Sequence, residues 1–273
     1  CATLSEPKEN VSAPVFVARS ASRADQQVPL CQFGVGDLAL VGGSEGAHGA
    51  RAMRLAPGEP ADLVDGEGFR LSCQVENVER ERGEVTFRVR KARQEPRRTP
   101  SLTLVQALAK GGRDEMAIES ATELGVDRVI PWQADRSIVR WTPAKTPRAL
   151  SKWESTLLSA AKQSRRATVP KLLDPVNSVA LANQVRQWVS DGQLVLVCHE
   201  AAQEPLRQAV QDQGEPRSGI TVIVGPEGGI SEDELEALKA AGATPVLLGP
   251  EVLRSSSAGP AALVALNLLL GRW

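Results

Sequence analysis

Five short apolar runs, separated by longer segments with helical spacing, constrain the fold of this chain more than any other feature. After Ser101 these runs are LTLVQAL, RVIPW, QLVLVCHE, ITVIVG and TPVLLG. The run ITVIV is apolar on both faces, as expected of a strand that helices cover above and below. Strand-like runs that alternate with helices are typical of a parallel sheet, so we predict an α/β fold for residues 101–273.

The first third of the chain has a different pattern. Residues 1–92 contain short strand-like runs between turn signals, among them PVFVA, DLALV and EVTFRVRK, and the last of these alternates between polar and apolar positions. We therefore predict a small all-β domain over residues 1–92. The basic, proline-bearing stretch RQEPRRTP, residues 93–100, is predicted to link the two domains.

Charge and hydropathy exclude some classes of function. The formal net charge of −1 across 273 residues gives no indication of a polyanionic partner. The longest apolar stretch, AALVALNLLL, is shorter than the roughly 20 residues that a membrane span needs. The N-terminus, CATLSEPKEN, lacks the pattern of a signal peptide, so we expect a cytoplasmic protein.

The four cysteines are far apart in the sequence. Cys1, Cys31, Cys73 and Cys198 form no CxxC pair, which argues against a zinc site and against a disulfide framework. Cysteine is among the most frequently buried residue types, so we predict buried free thiols and no metal.

The stretch VIVGPEGGISEDELEALKAAG places a glycine-rich loop between a strand and a helix. Ser231 and Glu234 have the spacing of a capping box, which predicts a helix from about Glu232 to a stop near Gly242. The loop Gly225–Gly229 would then follow a buried strand and precede a helix N-terminus. Ligands of open α/β sheets bind at that edge. A tight turn without a ligand is an alternative explanation of the glycines.

Two further strand ends resemble the first. LVLVC is followed by His199 and Glu200, and TPVLL is followed by Gly249, Pro250 and, four residues later, Arg254. A site made of main chain and apolar walls suits an adenine-like, largely uncharged ligand. The chain has no GxxxxGK[ST] motif and no GxGxxG motif followed by a ribose-binding acid, which disfavours ATP and NAD.

Several motif blocks in order carry a resemblance to a known family. VGPEGGISEDELEAL, LLGPEVLR, RDEMAIESATELGVDRVIPWQADRSIVRW and SAAKQSRRATVP resemble the RsmE family of 16S rRNA uridine-N3 methyltransferases, which belongs to the SPOUT superfamily. The resemblance implies a C-terminal SPOUT-type parallel sheet with a deep trefoil knot, one of the rare exceptions to unknotted topology. HGARAMRLAPGEPADLVDGEG resembles the family's small N-terminal PUA-like β-barrel domain, which binds RNA.

The resemblance also implies a function and partners. The family uses S-adenosylmethionine to methylate N3 of one uridine near the decoding centre of 16S rRNA, in the assembled small ribosomal subunit. It implies a homodimer in which the acceptor RNA lies partly across the partner subunit.

Site residues follow from the resemblance, position by position. The implied cofactor-binding residues are Val197, His199, Glu200, Val224, Gly225, Pro226, Glu227, Gly228, Gly229, Leu248, Gly249, Pro250, Leu253, Arg254 and Ser255. The implied catalytic residues are Arg254, Arg136 and Arg166. The implied RNA-binding residues are His48, Arg51, Arg54, Arg113 and Arg165.

The chemistry of the implied reaction favours a cation in the site. Uridine N3 bears a proton, so a base is needed, or cationic groups that stabilise the deprotonated uracil. Arg254 is the first candidate, although it could instead pair with Glu251. Ser256 stands where many relatives have glutamate, so a mechanism that requires that carboxylate fails here.

Local charge agrees with an RNA partner. Residues 136–171 contain nine Lys or Arg residues against one acid, Glu154, and residues 88–98 contain six against Glu95. Such clusters are typical of phosphate contact, and a solvated helix face is the alternative. Two other functions stay open: a noncatalytic RNA-binding protein, and a SPOUT ribose 2′-O-methyltransferase of tRNA or rRNA.

Overall fold

The chain forms two compact units, and each is described by itself. The computed structural model describes residues 13–212 and 218–273. The first unit comprises the described residues up to Arg97 together with Lys162–Thr168. The second comprises Arg98–Ala161 and Val169–Trp273.

The first unit is a seven-stranded sheet in the order β1-β5-β6-β7-β4-β2-β3. Its neighbouring strands are antiparallel, except that β1 pairs in parallel with β5. The strands are β1 Val15–Val17, β2 Ser20–Arg23, β3 Gln26–Pro29, β4 Leu38–Val41, β5 Pro60–Val64, β6 Phe69–Glu79 and β7 Glu84–Gln94, with the short helix α1 at Gly43–Ala47.

Alternation explains how this sheet buries one face. In β7 the residues Val85, Phe87 and Val89 are buried while the intervening residues are not, because successive side chains of a strand point to opposite faces. The buried set packs with Phe16 and Leu71 in a single core. The strands predicted for this part of the chain are therefore confirmed for the described residues, which also include the helix α1.

A distant segment completes the first unit. The carbonyl of Ala167 accepts a hydrogen bond from the Gly68 amide at 3.1 Å. The buried guanidinium of Arg70 donates to the Arg165 carbonyl at 2.8 Å. From the sequence we assigned Lys162–Thr168 to the second domain, whereas in the structure this segment belongs to the first unit. The sequence did not indicate this because the hydrogen bonds to Gly68 and Arg70 join positions far apart in the chain. The start of the predicted linker 93–100 also differs from the structure, because β7 continues to Gln94.

The second unit is a parallel sheet in the order β10-β9-β8-β13-β12-β14, and β11 also pairs with β9. Its strands are β8 Ser101–Ala107, β9 Arg128–Gln133, β10 Lys171–Leu172, β11 Val176–Asn177, β12 Leu194–Cys198, β13 Gly219–Val224 and β14 Thr244–Val246. Its helices are α2 Arg113–Glu123, α3 Thr146–Gln163, α4 Ser178–Ser190, α5 Leu206–Gln211, α6 Glu232–Ala240 and α7 Ser255–Leu269.

Helices cover both faces of the parallel sheet. Every residue of β13 is buried, which confirms the interpretation of ITVIV as a strand between two layers. On one face, Val222 packs with Ile118 of α2 and Leu263 of α7. On the other, Ile223 packs with residues of α4 and α6. The predicted α/β class is confirmed.

One prediction about the cysteines was wrong. Cys73 is buried and Cys198 is partly buried, but Cys31 is exposed in a short helical turn at Leu30–Gln32. Its neighbour Leu30 occupies the core position instead. All three thiols are free, and Cys1 lies outside the described residues.

Candidate methyl-donor site at three strand ends

The carboxyl ends of three neighbouring strands lie at one level of the sheet. Cys198, the last residue of β12, pairs with Val224 at the end of β13 and with Val246 at the end of β14. Gln106 of β8 pairs with Val224 on the other side. The loops predicted to bind a ligand therefore start side by side, at the edge where open α/β sheets bind their ligands.

The fold itself requires the glycines of the loop after β13. A Cβ at Gly225 would lie 2.6 Å from Cγ1 of Ile230, and one at Gly228 would lie 3.2 Å from the carbonyl oxygen of Arg136. Gly229 has φ +75°, and its amide donates to the Pro226 carbonyl at 2.9 Å. These glycines are therefore explained by internal packing and by a left-handed turn.

Two arginines from other loops contact this glycine-rich loop. Arg113, at the start of α2, forms an ion pair with Glu227 at 3.0 Å. Arg136, in the loop after β9, donates from Nη1 to the Gly228 carbonyl at 3.4 Å. The sequence assigned Arg113 to RNA, whereas the structure gives it a partner in the predicted cofactor loop.

The loop after β12 uses its histidine in a turn. The amide of His199 donates to the Val246 carbonyl at 3.1 Å, and Nδ1 accepts from the Ala201 amide at 3.2 Å. The Glu200 side chain is exposed. The side chains of Val197 and Val224 are buried in the cores on opposite faces of the sheet, so these two residues offer only main chain at the edge.

The loop after β14 is held by main-chain hydrogen bonds. The Leu247 amide donates to the Glu204 carbonyl at 2.8 Å, and the Leu247 carbonyl accepts from the Leu206 amide at 3.0 Å. A cavity of about 480 Å³ adjoins this loop, within the size range of ligand pockets. Three of the predicted cofactor residues line it, namely Leu248, Gly249 and Leu253, and Pro250 is exposed beside them.

Gly249 differs from the glycines of the loop after β13. A Cβ at this position would have Glu251 Oε2 as its nearest neighbour, at 3.9 Å, and the backbone φ is not in the left-handed region. Neither crowding nor conformation requires glycine here. Free space beside the main chain is what a ligand approaching the backbone needs.

Arg254 and Ser255 begin the last helix. Arg254 is the N-cap residue of α7, and its carbonyl accepts from the amides of Ser257 at 2.8 Å and Ala258 at 3.0 Å. Its side chain is exposed and has no ion-pair partner within residues 13–212 and 218–273, so the alternative pairing with Glu251 does not occur there. The Ser255 hydroxyl is buried without a hydrogen-bond partner in the same described residues.

Comparison with known proteins decides the family. A family model described as "RNA methyltransferase domain" matches residues 96–267. A protein of Mycobacterium bovis named "Ribosomal RNA small subunit methyltransferase E" is 42% identical over 238 residues, which cover 87% of this chain and 89% of that protein. The chain belongs to the RsmE family. The Bacillus subtilis protein of the same name is 29% identical over 230 residues, covering 82% and 88% of the two chains.

Solved structures agree with this RsmE assignment. A ribosomal RNA small subunit methyltransferase E from Neisseria gonorrhoeae, bound to S-adenosyl methionine, has a TM-score of 0.77 at 25% identity and covers 94% of this chain and 98% of its own. A putative methyltransferase from Legionella pneumophila, in complex with S-adenosylmethionine, has a TM-score of 0.74 at 26% identity with the same coverage.

In this RsmE chain the RNA-binding candidates of the first unit differ in the contacts that their side chains make. Arg51 donates to the carbonyls of Arg80 at 3.0 Å and Glu81 at 2.7 Å, so its guanidinium stabilises the β6–β7 hairpin. His48 is exposed and its ring packs edge-on to Phe16. Arg54 is exposed with φ +55°.

The RNA-binding candidate Arg165 and the catalytic candidate Arg166 both lie in Lys162–Thr168, which groups with the first unit. Arg165 is exposed with φ +56°, and its carbonyl accepts from Arg70. Arg166 donates from Nη2 to the Thr168 hydroxyl at 3.2 Å. Their roles stay predictions.

Sequence reasoning missed two buried carboxylates of the RsmE site region. Glu234 was predicted only as part of a capping box, but its second oxygen accepts from the Asp135 amide at 2.7 Å. Burial raises the pKa of Asp114, whose carboxylate accepts from the Ala109 amide at 3.4 Å in the loop after β8. No local signal marks either contact, because each depends on which side chains the fold buries.

Proposed function

We propose that this chain transfers a methyl group from S-adenosylmethionine to N3 of a specific uridine in 16S rRNA, near the decoding centre of the small ribosomal subunit. The observation that carries the proposal is that β12, β13 and β14 end side by side, at Cys198, Val224 and Val246. The loops that follow these strands are therefore neighbours, in a chain that belongs to the RsmE family. The solved relatives bound to S-adenosylmethionine support the choice of cofactor.

The residues at the strand ends fit this cofactor. The open space at Gly249 admits a ligand against the main chain, and Leu248 and Leu253 supply apolar walls. The buried Ser255 hydroxyl has a free hydrogen-bonding position. The cofactor supplies an activated methyl group on a sulfonium, so the protein's task is to align that group with the acceptor nitrogen.

The residues of the chain then handle the proton and the charge on uracil. When N3 loses its proton, negative charge spreads over the two carbonyl oxygens of the ring, and a cation beside them lowers the barrier. Arg254 is exposed at the start of α7 and is not engaged in an ion pair among the described residues, so its guanidinium is free for this role. With serine at position 256 we assign the proton to solvent rather than to a carboxylate.

Further properties of the family belong to the same proposal. We propose a deep trefoil knot, which the resemblance to the RsmE family implies and the family membership supports. We propose a homodimer, supported by the exposed apolar side chains of Val252 and Leu268. No helix in residues 13–212 and 218–273 is long and apolar enough to cross a membrane.

The proposed substrate also suggests a role for the first unit and a cellular location for the protein. We propose that the first unit is a PUA-like RNA-binding domain, supported by its strand-rich sheet and by the exposed His48 and Arg54. A reaction on ribosomal RNA takes place in the cytoplasm, so we propose this location.

Nucleoside analysis tests the proposed reaction. Small ribosomal subunits that lack the modification are incubated with the protein and isotopically labelled S-adenosylmethionine, and the rRNA is digested to nucleosides. We expect the label in 3-methyluridine. Label in 2′-O-methyl nucleosides would replace the proposal with a ribose methyltransferase, and bound RNA without any label would indicate a noncatalytic RNA-binding protein.

A further inference from the structure

Glu234 accepts hydrogen bonds from three separate parts of the second unit. Its Oε2 accepts from the amide of Ser231 at 2.9 Å and from the Ser231 hydroxyl at 3.0 Å. Its Oε1 accepts from the Asp135 amide at 2.7 Å and from the Ser178 hydroxyl at 2.5 Å. One carboxylate therefore joins the start of α6, the loop after β9 and the start of α4.

A capping box needs only half of these contacts. The reciprocal pair of Ser231 and Glu234 uses Oε2 alone, together with the hydrogen bond from the Glu234 amide to the Ser231 hydroxyl at 3.2 Å. A carboxylate that is only 3% exposed is costly unless its oxygens are hydrogen-bonded. Burial raises the pKa of Glu234, but the hydrogen bonds from Ser178, Ser231 and Asp135 outweigh it and hold the pKa below its ordinary value.

The contact with Asp135 leads directly to the predicted cofactor loop. Asp135 precedes Arg136, whose carbonyl oxygen and Cβ each lie 3.2 Å from the position that a Cβ on Gly228 would take. The guanidinium of Arg136 donates to the Gly228 carbonyl. Fixing the backbone at Asp135 therefore limits where both the main chain and the side chain of Arg136 lie.

We propose that Glu234 is a positioning residue for methyl transfer, which fixes the backbone at Asp135 and thereby holds Arg136 against Gly228. The inference rests on the proposed function, in which Arg136 is a catalytic candidate beside the methyl donor. A displacement of about 1 Å in such a group is enough to slow a reaction strongly.

A double-mutant cycle on the full-length protein tests whether Glu234 acts through Arg136. Glu234→Gln keeps the side-chain volume but loses acceptor capacity in either orientation of the amide. We expect Glu234→Gln and Arg136→Ala each to slow single-turnover methylation about tenfold, and the double variant to be no slower than Arg136→Ala. Effects that multiply to about a hundredfold would show two independent roles and would overturn the proposal.

Ser231→Ala is the matched control, because it removes the hydroxyl of the capping box and leaves both contacts of Oε1. We expect it to lower thermal stability while the methylation rate stays within about twofold of wild type, as for loss of a helix cap alone. If Ser231→Ala slowed methylation as much as Glu234→Gln does, Glu234 would act only as part of the helix cap.

Amide hydrogen exchange provides a second measurement that needs no methylation activity. We expect the Asp135 amide to exchange faster in Glu234→Ala, which removes both carboxylate oxygens, and at the wild-type rate in Ser231→Ala, which leaves the acceptor in place. Unchanged exchange at Asp135 in Glu234→Ala would overturn the positioning role even in an active enzyme. A wild-type protein that transfers no methyl group would instead contradict the proposed function. The exchange measurement would still show whether Glu234 holds the Asp135 amide.

Discussion

The side chain of Arg254 is exposed and therefore available for chemistry. It is exposed at the N-cap of α7, where its backbone is fixed by two hydrogen bonds to its carbonyl. We expect Arg254→Ala to leave the affinity for S-adenosylmethionine unchanged in calorimetry and to lower the single-turnover rate about 100-fold, as for loss of one group that stabilises a developing anion. Arg186→Ala, which removes an exposed arginine on α4, is the control. An unchanged rate in Arg254→Ala would remove this residue from the mechanism.

Gly249 provides a test of the ligand space itself. Because a Cβ there meets no protein atom closer than 3.9 Å, Gly249→Val would fold normally and fill the space that we assign to the cofactor. We expect calorimetry to show at least a tenfold loss of affinity for S-adenosylmethionine, which corresponds to about 1.4 kcal/mol.

Gly34→Val is the matched control for the Gly249 variant. A Cβ at Gly34 is equally uncrowded, with its nearest atom at 4.0 Å, but it lies in the first unit. We expect this variant to bind the cofactor like wild type. Equal affinity in both variants would place the cofactor elsewhere.

The stability of helix α6 depends on pH through Glu234. The folded-state pKa of Glu234 is below its ordinary value of 4.5, because hydrogen bonds to the ionised form outweigh burial. A group of this kind contributes stability above its unfolded-state pKa and loses it as the pH falls through the folded-state pKa. The contribution is therefore present at neutral pH and is lost below 4.5.

Urea unfolding of wild type and Glu234→Gln measures this contribution. We expect the difference in the free energy of unfolding to be largest near about pH 7 and to shrink when the pH falls below about 4. A difference that stays constant across this range would show that the ionised carboxylate does not stabilise α6.

Elements defined by local sequence were predicted well, and those defined by distant pairing were not. The Ser231–Glu234 capping box and the strand ITVIV are encoded by neighbouring residues, and both are confirmed. The grouping of Lys162–Thr168 with the first unit depends on hydrogen bonds to Gly68 and Arg70. No periodicity in the segment itself indicates such partners.

The same distinction applies to the candidate site. Because parallel strands end at a common edge, order along the chain was enough to predict that the loops after β12, β13 and β14 meet. The contacts of Arg113 with Glu227 and of Asp135 with Glu234 join residues about a hundred positions apart. Only the folded sheet brings these side chains together.

At the level of the whole molecule, the chain is a member of the RsmE family whose described residues form two compact units. The sequence matches relatives across both units, with 87% of the chain covered by the Mycobacterium bovis protein. We propose that the methyl donor lies at the three strand ends of the second unit.

Hydrogen exchange with and without S-adenosylmethionine, measured by mass spectrometry over the whole chain, tests this placement of the cofactor. We expect slower exchange at residues 199–204, 225–229 and 247–256, and unchanged exchange throughout the sheet of the first unit. Protection that falls in the first unit, or none at these three strand ends under saturating cofactor, would contradict it.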